Sequence, residues 1–169
     1  MTTIAEDAVT LRPAIPSDAN TVARIWYEGW RDGHLGNVPD ALVVARTEAS
    51  FYERAAERVG DTVVAVVEGE VVGFVMVVDD EVEQVYLSNH RRGSGIAGFL
   101  LGEAERLVAA NGHERAWLAV APGNGRARKF YERQGWVDDG LFEYMAGGAA
   151  EPIPVPCQRY VKRVGGGVR

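Results

Sequence analysis

The sequence predicts an α+β fold, a central sheet of about six to seven strands flanked by about four helices. Three observations predict it. A run of β-branched segments between residues 62 and 87 is broken only by short polar turns. Apolar stripes of helical period precede and follow that run. The remainder alternates helix, strand, helix, and two closing strands. A chain of 169 residues suits a single domain with one sizeable core, so residues 1–169 are read as one unit.

Val9 to Arg12 is a short apolar segment stopped by Pro13, which fits an edge strand. Ser17 and Asp18 open a helix whose Ala19, Val22, Ala23, Trp26 and Trp30 share one face. Gly33, Gly36 and Pro39 place a loop at Arg31 to Asp40, and a second helix runs from about Thr47 to Arg58. Thr62 to Val67 and Val71 to Val78 form a hairpin about Glu68-Gly69-Glu70. Asp79-Asp80 turns the chain into a third strand, Glu81 to Leu87. A helix from about Gly95 to Ala110 turns Leu100, Leu101 and Ala104 inward, and Asn111-Gly112 caps it. Ala116 to Val120 is a strand, Asn124 to Gln134 a helix, and Val137 to Met145 a strand. Gly147-Gly148 and Pro152, Pro154 and Pro156 mark a loop before a last strand, about Gln158 to Val164.

Composition removes several function classes. A net charge of -6 argues against a nucleic-acid module with a broad basic face and leaves room for a small cationic ligand. The one cysteine, Cys157, excludes an intramolecular disulfide framework and any cysteine-based zinc cluster, and it points to a reducing compartment. No metal-ligand cluster is visible, so no metal is expected. Met1 to Thr10 carries Glu6 and Asp7 and no long apolar run, and Val71 to Val78 is far too short to span a bilayer. The expectation is a cytoplasmic protein without a membrane partner.

The most informative stretch is Val85-Tyr86-Leu87-Ser88-Asn89-His90-Arg91-Arg92-Gly93-Ser94-Gly95-Ile96-Ala97-Gly98, a strand entering a glycine-rich turn that opens a helix. Free N–H groups and the helix dipole there favour an anion, and Arg91 and Arg92 add charge. The turn therefore reads as a phosphate or pyrophosphate cradle. Gly93, Gly95 and Gly98 also satisfy the dinucleotide pattern GxGxxG, but no carboxylate stands at Leu118 to Ala121, where a ribose would need one. A P-loop fails as well, because no Lys-Ser/Thr follows the glycines. Downstream, Asn124, Ala127 and Tyr131 fall on one helical face, presenting an amide, an open space and a phenol in that order.

Together these segments resemble the GNAT superfamily of acetyl-CoA-dependent N-acyltransferases. Arg92, Gly95 and Ala97 match its Arg/Gln-x-x-Gly-x-Gly/Ala signature. Asn124, Ala127, Phe130, Tyr131, Gly135 and Trp136 match its Asn-x-x-Ala-x-x-Phe-Tyr signature with the Gly-aromatic pair that follows. The resemblance implies a mostly antiparallel, splayed sheet. It implies that the N–H groups of Gly93, Ser94, Gly95, Ile96, Ala97 and Gly98, aided by Arg92, hold the pyrophosphate of coenzyme A. It implies that Val85, Tyr86 and Leu87 pair with the pantetheine like an added strand, and that Asn124 contacts that arm. Arg126, Arg128 and Lys129 stand as candidates for the adenosine phosphates.

The implied chemistry is direct attack of an amine on the thioester of acetyl-CoA, with Tyr131 returning a proton to the thiolate and an N–H near Leu87 facing the oxyanion. The strand Trp117-Leu118-Ala119-Val120 lacks the glutamate that some members carry before the asparagine. Glu83 is the candidate base. Glu81 shares its strand parity with Val85 and Leu87, and period 2 does not separate the two acids. The acceptor side would fall to the first two helices and the last hairpin, with Trp26, Tyr27, Trp30, Arg31, Asp32, His34 and the Phe142-Glu143-Tyr144 strand; a base at His34 and a water chain stay open. The acceptor itself, an amine of a small molecule, peptide or protein, is not identified, and the fold leaves a homodimer open. Two other functions keep the same cofactor site: transfer from a bulkier acyl-CoA, and non-catalytic sensing of an acyl-CoA.

Overall fold

The computed structural model describes residues 9–147 and 151–165, so the acidic N-terminal segment before Val9 and Gly148 lie outside the described residues. In chain order the elements are β1 (Val9–Pro13), α1 (Ala19–His34), α2 (Asp40–Ala45), α3 (Glu48–Glu57), β2 (Thr62–Val67), β3 (Glu70–Val78), β4 (Glu81–Leu87), α4 (Ile96–Ala110), β5 (Arg115–Val120), α5 (Gly125–Arg133), β6 (Val137–Ala146) and β7 (Ile153–Arg163). All seven strands join one sheet in the order β1-β2-β3-β4-β5-β7-β6. Every neighbouring pair is antiparallel except β4 and β5.

Each face of the sheet carries its own core. β3 alternates between them: Val72, Val75 and Val77 pack toward α4, while Val71, Phe74 and Met76 pack toward α1 and α3. Burial on both faces explains its near-continuous apolar run. On the α4 side, Leu100, Leu101, Ala104 and Val108 meet Leu118, Trp136 and Tyr160. On the other, Trp26 stands edge-on to Phe51 with centroids 5.5 Å apart, and the Arg54 guanidinium lies 4.4 Å over the Trp26 ring. The start of α1 is fixed by Asp18, which takes two hydrogen bonds from Arg12 and one from the Ile15 N–H.

The structure departs from the sequence reading in three places. α1 runs through Gly33 to His34, and a short helix α2 occupies Asp40–Ala45, so there are five α-helices among the described residues. β7 begins at Ile153 and takes in Pro154 and Pro156, which pair with Met145 and Glu143 of β6. β5 reaches only as far as Gln158, so the opposite edge of β7 is open at both prolines and no ladder hydrogen bond is lost there. The third departure is a bulge. β3 pairs Met76 with Gln84 and Val77 with Val82, which leaves Glu83 as an extra residue in β4.

Leu100, fully buried on α4, should cost about 2–5 kcal/mol when replaced by alanine, seen as a lower urea midpoint. Phe99, half-exposed beside it, should change stability by only about 0.5 kcal/mol on the same substitution.

Candidate active site

The sheet comes apart between β4 and β5. Their parallel ladder consists of a single register pair, Glu81 with Trp117. Trp117 donates its backbone N–H to the Asp80 carbonyl at 3.1 Å and its indole N–H to the Asp80 carboxylate at 3.0 Å. From Val82 to Leu87, β4 has a neighbour only on its β3 side. Ser88 donates its N–H to Val72 on that side, at 2.8 Å. Successive N–H groups along a strand point opposite ways, so those of Leu87 and Val85 point into the opening. A cavity of about 650 Å³ occupies it. Helix α1 forms one wall by bringing Gly29 against the Tyr86 ring and Gly33 against the Asn124 amide. A Cβ at Gly33 would stand 2.7 Å from Asn124 Nδ2.

At the Leu87 end of the cavity lies the glycine turn. Gly93 and Gly95 have φ of +78° and +87°, a conformation that favours glycine. The first hydrogen bond of α4 runs from the Phe99 N–H to the Gly95 carbonyl, so the N–H groups of Ile96, Ala97 and Gly98 have no carbonyl one turn back. No side chain caps that end. The predicted turn residues divide accordingly. Arg92, Gly93 and Ala97 line the cavity. The Ser94 hydroxyl turns back to the Arg91 carbonyl, the Ile96 side chain is buried in the core, and Gly98 lies beside Gln134. Arg92 itself reaches across to Asp32 of α1, 2.7 Å away.

Farther down, Val85, Tyr86, Leu87, Asn124, Ala127 and Tyr131 line the same space. Asn124 caps α5 by accepting the Ala127 N–H at 3.3 Å. The Tyr131 ring packs among Phe130, Trp136 and Tyr160, and burial pushes its hydroxyl up to about 12. It is therefore a held proton at neutral pH. Tyr86 is also displaced upward, chiefly by burial and further by Tyr131.

The bulge separates the two acids that strand parity left equivalent to Val85 and Leu87. Both now reach toward the α1–α3 side, whereas Val85 and Leu87 pack on the α4 side. Glu83 is engaged by Arg58 of the turn after α3. Glu81 accepts a hydrogen bond from the Tyr144 hydroxyl at 2.8 Å, and burial raises its carboxyl to about 7. His34 also lines the cavity. Its ring is stacked on Trp30 with its Nδ1 3.0 Å from the Trp30 carbonyl, and burial lowers it to about 4.

Other expectations redistribute. Trp26 is core, and Arg31 bonds Tyr27 away from the cavity. Arg128 ties the Tyr160 hydroxyl, the Pro122 carbonyl and Asp138 together, so it braces the fold, while Arg126 remains at the cavity. Cys157, which the sequence placed beyond a proline-rich loop, lines the cavity from β7, its thiol pushed up to about 11 by burial. Arg46, Arg54 and Arg58 also line it, and the sequence reading passed over all three. Their only signal was a spacing of four between Arg54 and Arg58, which equally describes a solvated helix face. Among the described residues no cluster of three His, Cys, Asp or Glu has metal-site geometry, and no helix is long and apolar enough to cross a membrane.

A profile of the Acetyltransferase (GNAT) family matches residues 23–136. An uncharacterized N-acetyltransferase of Mycobacterium tuberculosis is 28% identical over 119 residues, covering 68% of this chain and 74% of its own. The PaiA N-acetyltransferase of Thermoplasma acidophilum, solved in complex with coenzyme A, superposes with a TM-score of 0.68 at 17% identity, over 92% of this chain and 98% of that one. A GNAT superfamily phosphinothricin acetyltransferase of Sinorhizobium meliloti, solved with acetyl-CoA, gives 0.65 at 23% identity, over 94% and 89%.

Alanine at Gly95 should cost about 1–2 kcal/mol through its left-handed backbone. The same change should weaken binding of a phosphate-bearing ligand by reaiming the N–H groups, and calorimetric titration against the parent measures this.

Proposed function

Because the chain belongs to the GNAT acetyltransferase family, we propose that it is an N-acetyltransferase that moves the acetyl group of acetyl-CoA directly to an amine. The observation that carries this reading is the unpaired edge of β4 from Val82 to Leu87, opening onto a cavity that ends at the glycine turn. The N–H groups of Gly93, Gly95, Ile96, Ala97 and Gly98 suit a pyrophosphate, with Arg92 exchanging Asp32 for a phosphate oxygen. Ser94 contributes its backbone to the same turn. The N–H groups of Val85 and Leu87 suit the amide-bearing pantetheine arm and a developing oxyanion. Tyr86 and Ala127 form the walls, and the Asn124 amide adds a polar contact. The relatives solved with coenzyme A and acetyl-CoA support the choice of donor.

Acetyl-CoA supplies an activated thioester, and the chain's own groups manage the protons. An ammonium must lose a proton before its nitrogen can attack. Glu83 is engaged in an ion pair with Arg58, and His34, at about 4, is too weak a base. Glu81, at about 7, accepts a proton near neutrality and holds it, so it is our choice for the base. Tyr131 keeps its proton until a thiolate leaves and then donates it. A Cys157 thiol at about 11 is a poor nucleophile at neutral pH, which supports direct transfer without a covalent acyl-enzyme.

Calorimetric titration tests the donor assignment, and absence of acetyl-CoA binding at millimolar concentration would overturn it. Glu81 is ionised above its raised value, so kcat/KM should climb as pH passes through about 7. Glu81→Gln should remove that limb and lower kcat by about 10²–10⁴; an unchanged pH profile would exclude Glu81. Tyr131→Phe should lower kcat while leaving acetyl-CoA affinity intact, and equal turnover across pH would remove it as the acid.

A further inference from the structure

Arg46 connects α2 to α3 and is 7% exposed, yet its side chain makes no ion pair or hydrogen bond among the described residues, and its Nη1 is buried without a partner. It lines the cavity. So does Arg54, whose guanidinium lies over the Trp26 ring and likewise makes no ion pair among the described residues. Of the acids at this end of the cavity, Glu83 is taken by Arg58, Glu81 is bonded to the Tyr144 hydroxyl, and Glu57 is exposed at the rim. A desolvated guanidinium without a counter-charge is unfavourable unless a ligand supplies one. Its planar fork matches two oxygens of a carboxylate or phosphorus oxyanion.

Taking the acetyltransferase reading as its basis, we propose that the acceptor amine also carries an anionic group, which Arg46 and Arg54 receive beside Glu81. These arginines are not part of the pyrophosphate cradle. Arg46 acts on Tyr144 and Arg54 on Glu83, while the glycine turn follows Leu87, about 13 Å from Glu83 along β4. Arg46 acts electrostatically on Tyr144, the residue that bonds Glu81. The anion site and the base therefore flank one phenol, and the fitting acceptor is a small molecule of amino-acid type, its amine and anion a few bonds apart. The cavity, about 650 Å³, would also receive the donor's arm, which favours a small acceptor.

The test is a thiol-release assay on the full chain with acetyl-CoA and matched amines: free amino acids and aminoalkylphosphonates against amino-acid amides and plain alkylamines. An anionic acceptor should exceed its neutral partner by about tenfold or more in kcat/KM, and the two anionic arms distinguish carboxylate from phosphonate. Arg46→Met should bring the ratio of anionic to neutral acceptor in kcat/KM down toward one, and Arg46→Lys should restore part of the preference. Neutral amines equal to or better than their anionic partners in the parent protein would overturn the proposal, as would an Arg46→Met variant that slows both arms alike. Calorimetry with acetyl-CoA separates the two levels of inference. Binding without turnover of any anionic amine sinks the acceptor assignment alone, whereas no binding sinks the acetyltransferase reading with it.

Discussion

The structure depends on a backbone that is denied its partner. β4 and β5 meet at Glu81 and Trp117, held by Asp80, and then part, so β4 keeps peptide groups that an ordinary sheet would satisfy. A dry, unpaired peptide group costs about 1–3 kcal/mol, so such an edge persists only where water or a ligand replaces the missing strand. The cores on either face make the parting possible. The α4 side anchors β4 through Val82, Val85 and Leu87, and the other side holds α1 against Tyr86. Both cores reach across from β2–β4 to β5–β7, so the helices hold the two parts of the sheet together while the seam between them is left open.

The same opening sets the electrostatics. Glu81 lies at the vertex, where burial outweighs the hydrogen bond from Tyr144 and holds the carboxyl near neutrality. Glu83, two residues on, meets a guanidinium instead. The extra residue of the bulge turns both acids away from the face that Val85 and Leu87 share, and there they meet different partners.

Much of the architecture was legible in the sequence because its signals are local. β-branched runs, a 3.6-residue stripe and left-handed glycines each act within a few residues. The glycine turn and the Asn124–Tyr131 face were legible for the same reason. What escaped depends on neighbours distant in the chain. Pro154 and Pro156 read as a loop because a proline's fitness for a strand rests on which edge is open, and that depends on where β5 ends. The ranking of Glu81 and Glu83 required the bulge, a mismatch between two strands that neither one displays. Arg46 and Cys157 became cavity residues only through the folding of α2 and β7 around the opening.

The prolines of β7 have a bearing on solubility. An open strand edge is a template on which any extended polypeptide can add, which is the usual route to edge-to-edge aggregation. Here one side of the mouth lacks N–H groups at Pro154 and Pro156, and the other is crowded by α1, whose Gly29 sits against Tyr86. An intruding peptide would bring side chains against α1 and the Tyr86 ring. A thin, unbranched chain bearing amides meets no such obstacle. The walls of the opening thus also screen β4 from stray polypeptide.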